Sequence, residues 1–543
     1  MTQYLTPGVY IDEIERGPQP IQGVPTNIVA FLGETERGPT YPRLISSYND
    51  YARLFGSVYD DTKFMPYVVS GFFDNEGTTA YICRIVPRDA TPAYHIYGGY
   101  RVTALGPGPW GKNVFVKFTN STTQSYVVPA GGGAPTSQPI GIHMQLAYWE
   151  ASTLGQAAPY DPWNSAAIPA NAPPPDYTED FDDIVLDDPA DANYYTKRLG
   201  IGVNSNSSFV MFALDAAAAN PPASPVGTLN VLDQGGAPAA AAPTVVDYNG
   251  NVDVHGNTIT DPTQMTGLTA LLLDEFRDVS LVYAPNTGGA ADICSAIINH
   301  CQYQSGYRFA VIDAPEGQSN YQNLTPRGMS ANSDTSYAAY YYPWIWISDP
   351  VTGKLIKVPP GGHVLGVYAR TDDTRGVFKA PANEIVDGAL DLEYDISDNS
   401  QGFLNPAGVN VIRKFPTRGI RIWGARTLAS DALWKYVNVR RLFIFLERSI
   451  YEGTQWVVFE PNDQRLWARV VDTVRLFLRQ QWRQGALMGA TEDQAFQIAC
   501  DQSTMTPEDI LNGMLICQVG IAPVRPAEFV IFQIYQATAD AQS

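Results

Sequence analysis

Apolar positions follow different rules in different stretches of the chain. Ile28-Val29-Ala30-Phe31-Leu32 is a continuous apolar run ended by Gly33. A run of that length predicts a strand buried on both faces. Tyr48–Phe55 and Tyr67–Asn75 carry helical spacing, and Thr79–Val86 is another buried strand. Strand, helix, helix, strand is an α/β unit. The same alternation resumes in Thr266–Asp274, Ser280–Ala284, Ala291–Tyr303 and Arg308–Asp313. Between them, from about Arg101 to Asp261, the pattern breaks into short strand-like runs such as Val114-Phe115-Val116 and Ser208-Phe209-Val210-Met211-Phe212. Ala/Gly/Pro tracts separate these runs (Ala216–Pro225, Gly235–Pro243) and are too poor in large apolar groups to pack a core. This stretch reads as a loop-rich β insertion. From Tyr337 the apolar density returns, with Tyr340-Tyr341-Tyr342-Pro343-Trp344-Ile345-Trp346-Ile347 entering a core as a strand.

The region Tyr436–Ala537 reads as strand, helix, long helix and final strand. In the long helix, Leu466, Val470, Val474, Phe477 and Leu478 recur every three or four positions, which gathers them on one face. Arg465, Arg469, Arg475, Arg479 and Arg483 fall on the other side, either as a solvated charged face or as a basic stripe for an acidic partner. Glu528–Gln536 holds Phe529, Val530, Ile531, Phe532 and Ile534, a terminal strand apolar on both pleat faces that needs cover on both sides. At the other end, Tyr4–Ile14 has a strand pattern with Tyr4, Val9, Tyr10 and Ile11. It is followed by a Pro/Gly-rich linker, Arg16–Pro25. The fold class expected is mixed α/β (α+β) and multidomain. Residues 1–25 form an arm and linker, 26–100 plus 262–336 a middle α/β domain, 101–261 an inserted β-rich domain, and 337–543 a C-terminal domain ending in a strand arm.

Composition narrows the function. A net charge of −20 over 543 residues disfavours a non-specific nucleic-acid binder. Five scattered cysteines do not suggest a disulfide scaffold and fit reduced, mostly buried thiols. The opening residues show no secretory pattern, and no apolar run of membrane-spanning length exists, so cytoplasmic folding without membrane insertion is expected.

Candidate chemistry is thin. Gly106-Pro107-Gly108-Pro109-Trp110-Gly111-Lys112-Asn113 is one residue away from a phosphate-binding loop. Its prolines remove backbone donors, Asn113 stands where a hydroxyl should bind magnesium, and a strand follows in place of a helix. Cys294, His300 and Cys301 lack a fourth metal ligand nearby. His363, in a Gly-rich approach to a strand, has no nucleophile motif beside it. The acidic cluster from Asp176 to Asp188 lacks EF-hand spacing and reads as a solvated face. No catalytic, cofactor or metal residue is assigned.

Thr6-Pro7-Gly8-Val9-Tyr10, Val458-Phe459-Glu460-Pro461-Asn462, Gly485-Ala486-Leu487-Met488-Gly489 and Pro526-Ala527-Glu528-Phe529-Val530 are separate motifs that, in this order, resemble those of contractile tail sheath proteins. The resemblance covers both ends and most of residues 337–537, and is weak in the insertion. It implies a structural subunit that polymerises as stacked hexameric rings around an inner tube and contracts to drive that tube through a target envelope. The implied partners are further copies of the chain, an inner tube protein, and baseplate and tail-terminator proteins. The implied location is the bacterial cytoplasm during assembly, then the tail of a virion or phage-like injection particle. The terminal apolar residues would be the inter-subunit arms and the arginines a contact to the tube or a neighbour. The other reading is an α/β enzyme, hydrolase-like, with a β insertion. The missing catalytic set speaks against it.

Overall fold

The computed structural model describes residues 20–533, apart from 59, 61, 128–133, 156, 220 and 329–332. The predicted arm residues Tyr4, Val9, Tyr10, Ile11 and Ile534 therefore lie outside the described residues. The chain divides into two compact units. The larger holds Pro25–Thr374 and Pro381–Val437; the smaller holds, among described residues, 20–24, Arg375–Ala380 and 438–533.

The larger unit is built on a nine-stranded sheet. Its strands are β1 (Val29–Gly33), β2 (Arg43–Ile45), β3 (Ala80–Arg84), β4 (Leu281–Tyr283), β5 (Phe309–Asp313), β6 (Ala338–Tyr342), β7 (Glu384–Ile385), β8 (Val409–Phe415) and β9 (Gly419–Ile422). They lie in the order β7-β9-β8-β6-β5-β4-β1-β3-β2. The six central strands are parallel, with antiparallel strands at both edges. Every residue of β1, β4, β5 and β6 is buried, as an interior parallel strand requires. The division expected at residue 337 therefore cuts through a sheet. β6 pairs with β5 on one side and β8 on the other, with Tyr340 opposite Val409, so residues 338–422 complete the sheet begun at Val29.

Helices α1 (Tyr48–Phe55), α2 (Met65–Asp74), α3 (Ala291–Asn299) and α4 (Gly361–Arg375) accompany this sheet. α4 corrects the reading of the Gly-rich stretch around His363 as an approach to a strand. Its glycines serve packing. A Cβ at Gly362 would come within 2.1 Å of the Val68 backbone, and one at Gly366 within 2.5 Å of the Phe72 carbonyl and of Asn75. On α2, a Cβ at Gly71 would strike the His363 ring at 2.2 Å. The two helices approach closely because these positions lack side chains. At the start of α4 the buried Asp313 carboxylate accepts from the Gly361 N–H at 2.9 Å and from the Tyr283 hydroxyl at 2.5 Å. Burial pushes its pKa up to about 7.

Between β3 and β4 the chain builds two four-stranded antiparallel sheets. One contains Val114–Asn120, Ile142–Tyr148, Tyr177–Ile184 and Leu229–Val231; the other contains Ala93–Tyr97, Tyr100–Ala104, Val210–Leu214 and Gln234–Gly235. A shared core joins them, with Tyr97 and Phe118 ring centroids 5.1 Å apart and Phe118 and Phe212 5.8 Å apart. A boundary at residue 101 would split a hairpin, because Tyr97 pairs with Tyr100 across Gly98-Gly99. The insertion's sheets start at Ala93. Arg37, with a side chain 0% exposed, ties them to the main sheet. It donates to the Ala52 carbonyl at 2.9 Å, reaches Glu150 at 3.4 Å, and stacks over Tyr148 at 4.6 Å and Tyr177 at 5.0 Å.

The smaller unit packs α5 (Val437–Gly453), α6 (Gln464–Arg483) and an antiparallel hairpin, β10 (Phe496–Ala499) with β11 (Gln518–Ile521). The strand expected at its start is absent, since α5 begins at Val437. The linker is not a free tether over its described part. Ile21 is 6% exposed in this unit's core, Gly23 lies against the Phe445 ring, and the Val24 N–H donates to Ser449 Oγ at 3.1 Å.

Candidate assembly interface

The long helix α6 starts with Asp463, whose side chain accepts from the Leu466 N–H at 2.9 Å. Leu466, Trp467, Val470, Val474, Phe477 and Leu478 are buried on one face, as their spacing predicts. The five arginines do not form one open stripe. Arg479 makes a two-pronged contact with Glu492, at 2.6 and 3.1 Å, which holds that carboxyl below the usual range. Arg475 lies 3.7 Å from Glu492 and 3.6 Å from Asp472. Arg469 stacks over Trp456 at 4.5 Å and reaches Glu460 at 3.9 Å. Arg465 and Arg483 are exposed at the two ends of the helix. Glu492 lies well outside helical spacing from Arg479, so nothing in the helix pattern pointed to it.

Beyond β11 the chain crosses its own unit once more. Met488 N–H donates to the Ala522 carbonyl at 2.8 Å, and Val524 N–H to the Ala486 carbonyl at 3.2 Å. From Phe529 the side chains are open to solvent. Phe529, Val530, Ile531 and Phe532 are 73%, 69%, 81% and 84% exposed, with no strand partner among the described residues. Four consecutive large apolar side chains thus stand in water.

The enzyme-like features resolve into structure. Gly106–Asn113 is a turn closed by a short 3-10 helix, Pro109–Asn113, that runs directly into the strand Val114–Asn120. Trp110 Nε1 donates to the Pro107 carbonyl at 3.1 Å, and Arg84 fills the same turn, donating to the Gly38 and Pro107 carbonyls. His363 is 2% exposed, and burial pushes its pKa down to about 4, so it is neutral and sealed from solvent. His300 is buried with Arg308 Nη1 2.7 Å from its Nε2, and its pKa falls to about 3 through burial and that positive neighbour. The acidic cluster is occupied locally: Asp180 with His143 and Gln145, Asp182 with Thr122, Glu179 with Ser207 and Ser208. Among the described residues no group of three or more His, Cys, Asp or Glu is arranged to hold a metal ion, and no helix is long and apolar enough to cross a membrane.

Residues 240–428 match the phage tail sheath protein central domain, and residues 429–537 match the phage tail sheath C-terminal domain. The chain belongs to the phage tail sheath family. Its tail sheath relatives include the tail sheath protein of Burkholderia phage BcepMu, 27% identical over 237 residues, or 41% of this chain and 48% of that one. The tail sheath protein of Salmonella phage ViI is 25% identical over 194 residues, 35% of this chain and 30% of that one. The chain thus matches half or less of the length of these two relatives. Among solved structures, the anti-feeding prophage helical sheath in its contracted state superposes with a TM-score of 0.57, 22% identity, and coverage of 98% of this chain and 100% of that one. The sheath complex of the extracellular contractile injection system PVC, also contracted, gives 0.56, 23%, 99% and 100%. A sheath tail protein from Listeria innocua gives 0.55 at 12% identity, covering 94% of each chain. These structures share the sheath fold, mixed α/β and multidomain.

Proposed function

We propose that this tail sheath subunit polymerises as stacked six-subunit rings around an inner tube and shortens on a baseplate signal, driving the tube through a target envelope. The observation that carries this reading is the exposed run Phe529–Phe532. An apolar segment at the end of a docked hairpin adds a strand to a neighbour's sheet by β-augmentation. The N-terminal arm, with Tyr4, Val9, Tyr10 and Ile11, plays the matching role on a linker pinned at Ile21. Rigid subunits joined by such arms can slide between two lattices without bound nucleotide, the extended lattice being a kinetic trap. The chain has no enzymatic role in this scheme. It assembles in the bacterial cytoplasm and ends in the tail of a virion or injection particle, with baseplate and tail-terminator proteins at its ends. The β insertion has its own core and loop-rich edges, which suits the outside of the sheath. Negative-stain microscopy of the purified protein tests the assembly. Helical tubes are expected; dispersed particles at every concentration and salt would refute it.

A further inference from the structure

Cys500 and Cys517 stand at the two ends of the loop between β10 and β11. The strand register pairs Phe496 with Ile521 and Ala499 with Gln518, so the next pair outward sets Cys500 against Cys517. Positions 496, 498 and 500 share one face of β10, and 521, 519 and 517 lie opposite them on the same side. Cys500 is buried in the core of the smaller unit, and Cys517 packs against that core from partial exposure. Directly opposed residues of an antiparallel pair have Cα atoms about 4.5–5.5 Å apart. A disulfide spans about 4.4–6.8 Å. Beside the two thiols, Thr504 Oγ1 donates to the Ile516 carbonyl at 2.9 Å, holding the loop ends together.

We infer that Cys500 and Cys517 form a latent disulfide, reduced while the chain is made and closed when the protein meets an oxidising small-molecule disulfide. Cys517, the more accessible, loses its proton and attacks one sulfur of the small disulfide. A mixed disulfide forms and one small thiolate leaves. Cys500 then loses its proton and attacks the Cys517 sulfur, expelling the second small thiolate. Two protein thiols are oxidised, one small disulfide is reduced to two thiols, and the released thiolates take up the two protons. Burial pushes the Cys517 thiol up to about 12, so thiolate is scarce and the first step is slow. Slow exchange keeps the chain reduced during synthesis and lets a long-lived particle oxidise outside a reducing compartment. The bond would staple the hairpin whose second strand leads to Phe529–Phe532.

The test uses full-length protein incubated overnight with oxidised glutathione near pH 8, then alkylated and mapped without reduction. Trypsin leaves both cysteines in one peptide, Gln484–Ser543, because the Arg525–Pro526 bond resists it. That peptide should become lighter by two hydrogen atoms and stay joined after further cleavage at Glu508. The melting temperature should rise on the order of 5–10 °C, and dithiothreitol should reverse both changes. Cys517→Ser should show neither. A stable glutathione adduct on Cys517, or recovery of both cysteines as alkylated free thiols, overturns the proposal. Should Cys517→Ser not fold, the reversible link in the unaltered protein decides alone.

Discussion

Replacing Ile531 and Phe532 together by serine separates assembly from folding. Both side chains are more than four-fifths exposed in the single chain. Their loss should leave the fold within about 0.5 kcal/mol of the parent, the usual range for surface substitutions. In a lattice where a neighbour covers them, each contributes about 1.5–3 kcal/mol when fully buried. The pair is then worth about 3–6 kcal/mol per subunit contact. The entropy of ordering the segment opposes assembly in parent and variant alike, so it drops out of the difference. At about 1.4 kcal/mol per decade, even the lower figure raises the critical concentration for tube formation by about 100-fold. Sedimentation of tubes across a concentration series, with a melting curve on the unassembled fraction, reads both effects. An unchanged critical concentration would refute the docking of this segment. A large drop in melting temperature would instead mean that the segment stabilises its own chain.

Other outcomes follow from the geometry. Gly366→Ala places a methyl group where the α2 backbone lies 2.5 Å away, so it should cost about 1–3 kcal/mol and lower the melting temperature by several degrees. Asp313 has a raised pKa in the fold, so its burial penalty is absent below about pH 4 and complete above about pH 7. The melting temperature of Asp313→Asn relative to the parent should therefore climb across that window and level off above it; a flat difference would contradict the assignment. Changing Arg465 and Arg483 to Glu, leaving the Arg479–Glu492 contact intact, should weaken tube formation most at low salt. Equal assembly at low and high salt would make these arginines a solvated face.

What the chain spelled out by itself was whatever depends on neighbours in sequence. β1 and β5 were legible because a strand covered on both faces must be apolar at every position. α6 was legible because one face repeats every three or four residues against the core. The sheath motifs named the family for the same reason, being short and in order. Contacts between distant residues were not legible. The Gly-rich stretch around His363 looked like an approach to a strand, and only the close contact of Gly362 and Gly366 with α2, nearly 300 residues earlier, makes it a helix-packing face. Residue 337 looked like a boundary because the composition changes there, yet β6 pairs with β5 and β8 across it. Arg479 found Glu492 through the turn after α6, and Ile21 found the α5–α6 core across the whole length of the chain. Cys500 and Cys517 came face to face through strand register. Such pairings are set by which backbones can approach and which surfaces must leave water, and a linear pattern carries neither.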